Sequence, residues 1–208
     1  EMSKEGNIII RGIGVSATEG YKEGKIDNAV QLKNAIELAI NRAEFSSGTS
    51  AKNAICNIPI HNIEFTNTTS VITTENNEKI TEEDQVRCIQ KAQKLFENTN
   101  KTIVHTIPVV YIVDGEATIN PVGQPGVHLE TDVLMVTSPK ETMALLNNCL
   151  TELKLNIKGL TYDCVALGTQ ISRDVHSNQM TLGIDIGATY TKIALYNKAT
   201  LIYSTILP

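Results

Sequence analysis

Tryptophan is absent from the 208 residues, and phenylalanine occurs three times. Aromatics at 4% leave little on which to stack bases, and a formal net charge of −5 offers no basic surface to a phosphate backbone. A nucleic-acid partner is excluded on both counts. Cysteine is sparse. Cys56, Cys88, Cys149 and Cys164 are widely separated, with no C-x-x-C, and read as reduced, buried thiols. His61, His105, His128 and His176 are scattered without ligand spacing, so no metal site is assigned. No apolar run approaches the roughly 20 residues that span a bilayer. No strongly basic amphipathic segment is present to lie on one, so membrane contact is expected only through residues outside this chain. The opening EMSKEGNIII does not read as a secretory signal, because Arg11 interrupts its apolar run. No G-x-x-x-x-G-K or G-x-G-x-x-G occurs, and no nucleophile–base pair stands out, so no catalytic residue is assigned.

What is present is an ordinary globular composition, 41% hydrophobic, enough for one large domain or two small ones. Residues 7–17 are rich in β-branched side chains and predict a strand. A glycine-containing loop follows. Asp27 can then cap a helix with Leu32, Ile36, Ala39, Ile40 and Ala43 on one face, ended by Gly48. From about 52 to 137 the texture changes to short strands separated by Asn- and Thr-rich turns, among them NAICNIPI, NIEFTN and TSVITTE. Thr81 and Asp84 form a capping-box pattern before a helix whose face is read as Val86, Ile89, Ala92 and Phe96. Residues 102–115 and 126–138 are further strands. In the second, Val127, Leu129, Val133 and Met135 share one side, and His128, Glu130 and Asp132 a wet one. Pro108 implies a bulge or an edge.

From 138 onward the order is helix, strand, helix, strand. Ser138, Pro139 and Glu141 read as a helix start, and Met143, Leu146, Leu150 and Leu153 as its stripe. Asp163 can cap the helix that follows. This alternation predicts the α/β class, with strands near 8–15, 156–162 and 181–187 in one layer and 52–137 as a separate lobe.

LGIDIGATYTKIALY (182–196) is a strand–turn–strand segment with chemistry at its tip. Gly187 lets the backbone approach an anion, and successive amides at Ala188, Thr189 and Tyr190 can cradle phosphate oxygens. Asp185 would orient waters of a bound Mg²⁺, with Thr189 and Thr191 as hydroxyl donors. Glycine in the turn and β-branched flanks also suffice for a plain hairpin, so the residues alone leave both readings open.

HTIPVVYIVDGEATINPVGQPGVHLETDVLMVT (105–137) resembles the FtsA family of bacterial cell-division proteins. Its members carry H-x-I-P-x-x-Y-x-x-D…NP-x-G-x-x-G-x-x-L/M-E. GIGVSATEGYKEGKIDN and KLNIKGLTYDCVALG are similar to the segments around that stretch. The resemblance spans about residues 8–206. It implies an actin-like (ribonuclease H-like) ATPase subdomain with an inserted small α+β subdomain, 1C, of SHS2 type. It divides the chain into 1–51 and 138–180 as parts of subdomain 1A, 52–137 as 1C, and 181–208 as the start of 2A with the second phosphate hairpin.

On this resemblance the cofactor residues are Asp185, Gly187, Ala188, Thr189 and Thr191, holding ATP and Mg²⁺ in a longer parent. The first hairpin would precede Glu1, and the adenosine loops and an amphipathic helix would follow Pro208. No cofactor is expected on this fragment, which would be inactive, the parent being at most a weak ATPase. The implied function is a cytoplasmic scaffold at the inner membrane face of the division site. It would bind the ring protein FtsZ and later division proteins such as FtsN, and self-associate into filaments. The hairpin departs from the family's D-I-G-G-G-T-T: Ala188 and Thr189 stand for two glycines and Tyr190 for a threonine. Two other readings are a PilM-like pilus-assembly protein and a sugar kinase, whose first phosphate loop is similar to D-I-G-x-T-x-T-K.

Overall fold

In the computed structural model, which describes residues 9–74, 79–153, 155–174 and 180–208, the chain leaves its first unit after His61 and returns to it between Glu141 and Leu160. The remainder, Asn62–Lys140 and Thr161–Pro208, forms a second unit. Asn7 and Ile8 of the expected first strand, and 75–78 of the Asn-rich turn, lie outside the described residues.

The first unit is built around helix α1, Ala29–Ser47. Its N-cap is Asn28, one residue beyond the expected Asp27. The Asn28 side chain accepts the Val30 and Gln31 amides, each at 3.1 Å. Gly48 closes the helix at φ 67°, as its left-handed position requires. Ahead of α1, β1 (Tyr21–Lys22) and β2 (Lys25–Ile26) make a minimal hairpin within the expected loop.

Residues 9–17 do not form the expected strand. Their backbone lies on α1 instead, and a Cβ at Gly14 would fall 1.8 Å from the Ala39 carbonyl oxygen. The Ile13 amide donates to Ser46 Oγ at 3.0 Å, and Arg42 donates to the Val15 carbonyl. The β-branched pattern was correct for extended chain, but a strand also needs a ladder partner. After α1, β3 (Asn53–Asn57) pairs with β8 (Asn156–Thr161). The change of texture at 52 is therefore not a change of sheet. Helix α3, Lys140–Thr151, begins two residues after Ser138, which remains in a strand opposite Thr102. The expected Ser138 cap is not made, and its hydroxyl is buried with no partner among the described residues. The stripe itself holds, with Met143, Leu146, Leu150 and Leu153 all buried.

The second unit contains an antiparallel sheet in the order β4 (Glu64–Thr73), β7 (His128–Pro139), β5 (Lys101–Val113), β6 (Glu116–Thr118). NIEFTN and TSVITTE, expected as two strands, are one. β5 shifts register between Pro108 and Val110, a bulge where the missing N–H would otherwise interrupt the ladder.

Helix α2, Glu82–Lys94, starts with the capping box of Thr81 and Asp84 in place. Burial opposes the charge on Asp84, but the Thr81 hydroxyl and amide, with Arg87, hold its carboxyl below the usual range. The buried face of α2 runs through Cys88 and Ala92, and Val86 is exposed. At 100° per residue Val86 stands about 120° from Ala92, too far to share its stripe. Ala92 packs on Val133 and Met135, with Phe96 and Ile103 beside them. Cys88 joins Ile72, Ile80, Tyr111, Val113 and Leu129.

The opposite face of β7 was expected to be wet at His128, Glu130 and Asp132. His128 is exposed and Glu130 and Asp132 are half-buried, but further along the same face Leu134 and Val136 are fully covered. What covers this face is the chain after Thr161. Phe65 and Val136 are register partners, and the Phe65 ring meets Tyr162 with centroids 5.3 Å apart. His105, also opposite Val136, accepts the Tyr162 amide on Nε2 at 2.9 Å. Burial holds the His105 imidazole below its ordinary pKa, consistent with a neutral acceptor.

Helix α4, Asp163–Asp174, and an antiparallel sheet in the order β11 (Thr200–Leu207), β10 (Thr191–Asn197), β9 (Met180–Ile186) complete the unit. The strands near 156–162 and 181–187 therefore belong to different sheets, not to one layer. The four-stranded sheet falls in the same unit as residues 161–208. The sequence texture registered strand length, whereas the units are set by where Tyr162 packs.

Candidate functional site

β9 and β10 pair in simple antiparallel register, from Met180 opposite Asn197 to Ile186 opposite Thr191. This puts Asp185 opposite Lys192, on the face that also carries Gly183, Ala194 and Tyr196. α4 packs there: a Cβ on Gly183 would lie 3.4 Å from Leu167 Cδ2, and the Tyr196 hydroxyl donates to the Cys164 carbonyl at 2.8 Å. Burial drives the Tyr196 phenol well above its ordinary pKa, so it serves as a fixed donor.

Four residues, Gly187–Tyr190, connect the strands. The Gly187 amide donates to the Tyr190 carbonyl at 3.0 Å, and a Cβ on Gly187 would lie 2.9 Å from that same oxygen. Gly187 is not among the positive-φ glycines, so close approach, not left-handed backbone, explains it. Ala188 and Thr189 are exposed at the tip; Thr191 is half-buried as the first residue of β10. All five residues singled out from the sequence thus lie on this one turn and its flanks.

Two residues that the sequence reading did not assign complete the cluster. Lys192 Nζ donates to Asp185 at 3.0 Å and also to Asp163 at the start of α4. Its side chain is only 12% exposed. Burial opposes the ammonium, but its hydrogen bonds to Asp163 and then Asp185 prevail and raise its pKa. Asp163 was expected to cap α4; its Oδ1 accepts the Cys164 amide at 2.8 Å while Oδ2 takes Lys192. The local signals for Lys192 were its place at the end of D-I-G-x-T-x-T-K and its period-two spacing from Ala194 and Tyr196. Asp163 lies 29 residues away, and no local pattern links the two.

The turn is small and exposed at Ala188 and Thr189, and the close approach at Gly187 is to the turn's own Tyr190 carbonyl. The donor set fits a divalent cation poorly. The Asp185 carboxylate is already bonded to an ammonium, and no group of three or more His, Cys, Asp or Glu able to hold a metal occurs among the described residues.

Several residues of the 105–137 stretch have structural roles in the second unit. Asp114 and Gly115, at φ 47° and 94°, turn β5 into β6. The Asp114 carboxylate accepts the Val127 and His128 amides at 3.0 and 2.8 Å, which hold its pKa below the usual range. Gly123, at φ 86°, donates to the Ile80 carbonyl at 2.8 Å.

Residues 61–137 match the family described as "SHS2 domain inserted in FTSA". The whole chain aligns with cell division protein FtsA of Bacillus subtilis at 30% identity and of Borreliella burgdorferi at 28%. It covers 48% and 51% of those proteins, so it spans about half the length of the curated relatives it matches. A solved PilM–PilN type IV pilus biogenesis complex has a chain of similar fold. Its TM-score is 0.61 over 91% of this chain and 51% of that one, at 14% identity. At that identity the likeness concerns fold alone, a mixed α/β fold that carries an SHS2 domain over 61–137. Residues 61–137 thus match the SHS2 domain inserted in FtsA, and along its full length the chain is similar to FtsA cell-division proteins.

Proposed function

We propose that this chain is the part of a cell-division scaffold that presents an SHS2 domain beside one phosphate-binding hairpin. The observation that carries the proposal is the single turn formed by Asp185, Gly187, Ala188, Thr189 and Thr191, close-packed at Gly187 and exposed at its tip, in a chain similar to FtsA throughout. In the full-length protein the hairpin contributes main-chain donors to the phosphates of ATP, and nucleotide joins the two halves of the molecule. The Asp185 carboxylate at its edge is bonded to the Lys192 ammonium, which favours a clamp over a catalyst.

In the same proposal, 52–137 is subdomain 1C, 1–51 and 138–180 belong to 1A, and 181–208 begins 2A. Subdomain 1C carries contacts to further copies and to later division proteins such as FtsN. Other parts of the parent bind FtsZ and hold the assembly at the inner membrane face. The test is made on the full-length protein. Gly187→Val should weaken ATP binding and filament formation together, with circular dichroism unchanged. A fluorescent fusion lacking 61–137 should fail to support division. Unchanged ATP affinity in Gly187→Val would make the hairpin purely structural. Normal division without 61–137 would remove the scaffold role.

A further inference from the structure

We propose that Lys192 takes the place of a divalent cation at this hairpin, fixing Asp185 so that ATP binding to the full-length protein depends little on Mg²⁺. This rests on the nucleotide reading above and specifies how that site is charged.

The argument begins with register. Lys192 is the second residue of β10 and lies directly opposite Asp185, the penultimate residue of β9. Both side chains stand on the α4 face, immediately below the exposed turn. Asp163, at the first position of α4, approaches from the other side and takes a second hydrogen bond from the same ammonium. Lys192 is mostly withdrawn from water, while Asp185 remains about half exposed. A long flexible side chain on an open surface would give a weak, mobile pair. One fixed between two carboxylates on different elements is positioned in advance.

The charges then decide which ions are welcome. Asp163, Asp185 and Lys192 sum to one negative charge. A hydrated Mg²⁺ seeking Asp185 must compete with an ammonium 3.0 Å from its carboxylate. Without the ammonium, two carboxylates would face the turn, opposing free ATP and recruiting a divalent ion to bridge them to phosphate. Lys192 is therefore a positioning residue: it acts through Asp185 and sets the cation requirement of the turn. Asp163 anchors it.

The experiment is calorimetric titration of ATP into the full-length protein, in excess Mg²⁺ and again in EDTA. Wild type should show affinities within about threefold of each other, and Lys192→Gln a ratio above about tenfold in favour of Mg²⁺. Lys192→Arg should restore the small ratio. Thermal melts check folding. If Lys192→Gln does not fold, Asp163→Asn serves instead: the ammonium stays on Asp185, the cluster becomes neutral, and the ratio should remain small. A wild-type ratio above tenfold, or equal ratios in wild type and Lys192→Gln, overturns the inference and leaves ATP binding standing. A ratio above tenfold in Asp163→Asn overturns it as well. No ATP binding by wild type under either condition overturns the nucleotide reading and this inference together.

Discussion

The two sheets of the second unit are stabilised in different ways. The four-stranded sheet is covered by α2 on one face, over Leu129, Val133 and Met135, and on the other at the end where Tyr162 and its neighbours lie over Phe65 and Val136, while Asn67, Thr69 and Val71 stay exposed. The three-stranded sheet is covered on one face only, where Ala194, Tyr196 and Leu201 are buried under α4 and its flanks. Its other face carries Met180, Leu182, Ile184, Ile186, Tyr203 and Leu207, each 44–80% exposed. A sheet whose apolar residues are covered within its own unit draws its stability from that unit. One with a bare apolar face of this extent has stability and solubility that depend on whatever covers it. The hairpin sits at the end of the half-covered sheet, where a clamp between two halves of a longer protein would belong.

The largest test of that contrast is Tyr162→Ala. Tyr162 is fully buried, contacts Phe65, and shares a hydrogen bond with Ser204 Oγ at 3.1 Å, so it joins the covered sheet to β11. Its loss should cost about 3–5 kcal/mol in urea denaturation of this chain. Tyr162→Phe, which removes only the hydroxyl, should cost about 1 kcal/mol. Equal costs would mean that the hydroxyl, not the ring, carries the junction.

His105→Leu comes next. It leaves the Tyr162 amide without its acceptor, a loss of about 1–3 kcal/mol. The pH dependence is more diagnostic. Burial lowers the folded pKa of His105 relative to about 6.5 in the unfolded chain. Below 6.5 the unfolded state therefore binds more protons than the folded one. The contribution is complete above about pH 6.5 and is lost as pH falls through the folded pKa. Wild type should lose stability from pH 7.5 to 5.5, and His105→Leu should lose less over the same interval.

How much of this was legible in the sequence depended on how local the cause was. The Thr81–Asp84 box, the Gly48 stop and the α3 stripe are set by neighbours within a turn or two, and each appears in the fold. Tertiary causes were hidden. Residues 9–17 have strand-forming side chains but rest on α1. β7 looked wet on one face until Tyr162 was placed against it. The hairpin was legible as a turn because Gly187 and its β-branched flanks are contiguous. Its charge balance was not, since Asp163 reaches Lys192 only through the packing of α4.

Ser138→Ala measures one of those misreadings. A serine N-cap contributes about 1 kcal/mol, so its removal would be plainly visible. Here Ser138 is the ladder partner of Thr102 and its buried hydroxyl has no partner among the described residues. Alanine replaces that hydroxyl with a smaller apolar group, and the change should lie within about 0.5 kcal/mol of zero. A loss near 1 kcal/mol would restore the cap.

The smallest expected effect is on the bare face, and it completes the comparison. Ile184 is 57% exposed and paired with Ile193 on β10. Ile184→Thr keeps the β-branch that suits a strand and removes apolar surface from water, so this chain should change stability by less than about 0.5 kcal/mol. Its self-association, followed by sedimentation at increasing concentration, should decrease if the bare face is what makes copies adhere. In the full-length protein the same substitution should be costlier, because a second half covering the face would bury the threonine hydroxyl. Denaturation of both proteins side by side reads the difference. A loss of 2 kcal/mol or more in this chain alone would mean that the face is already buried in solution, and the two sheets would then differ in partner, not in completeness.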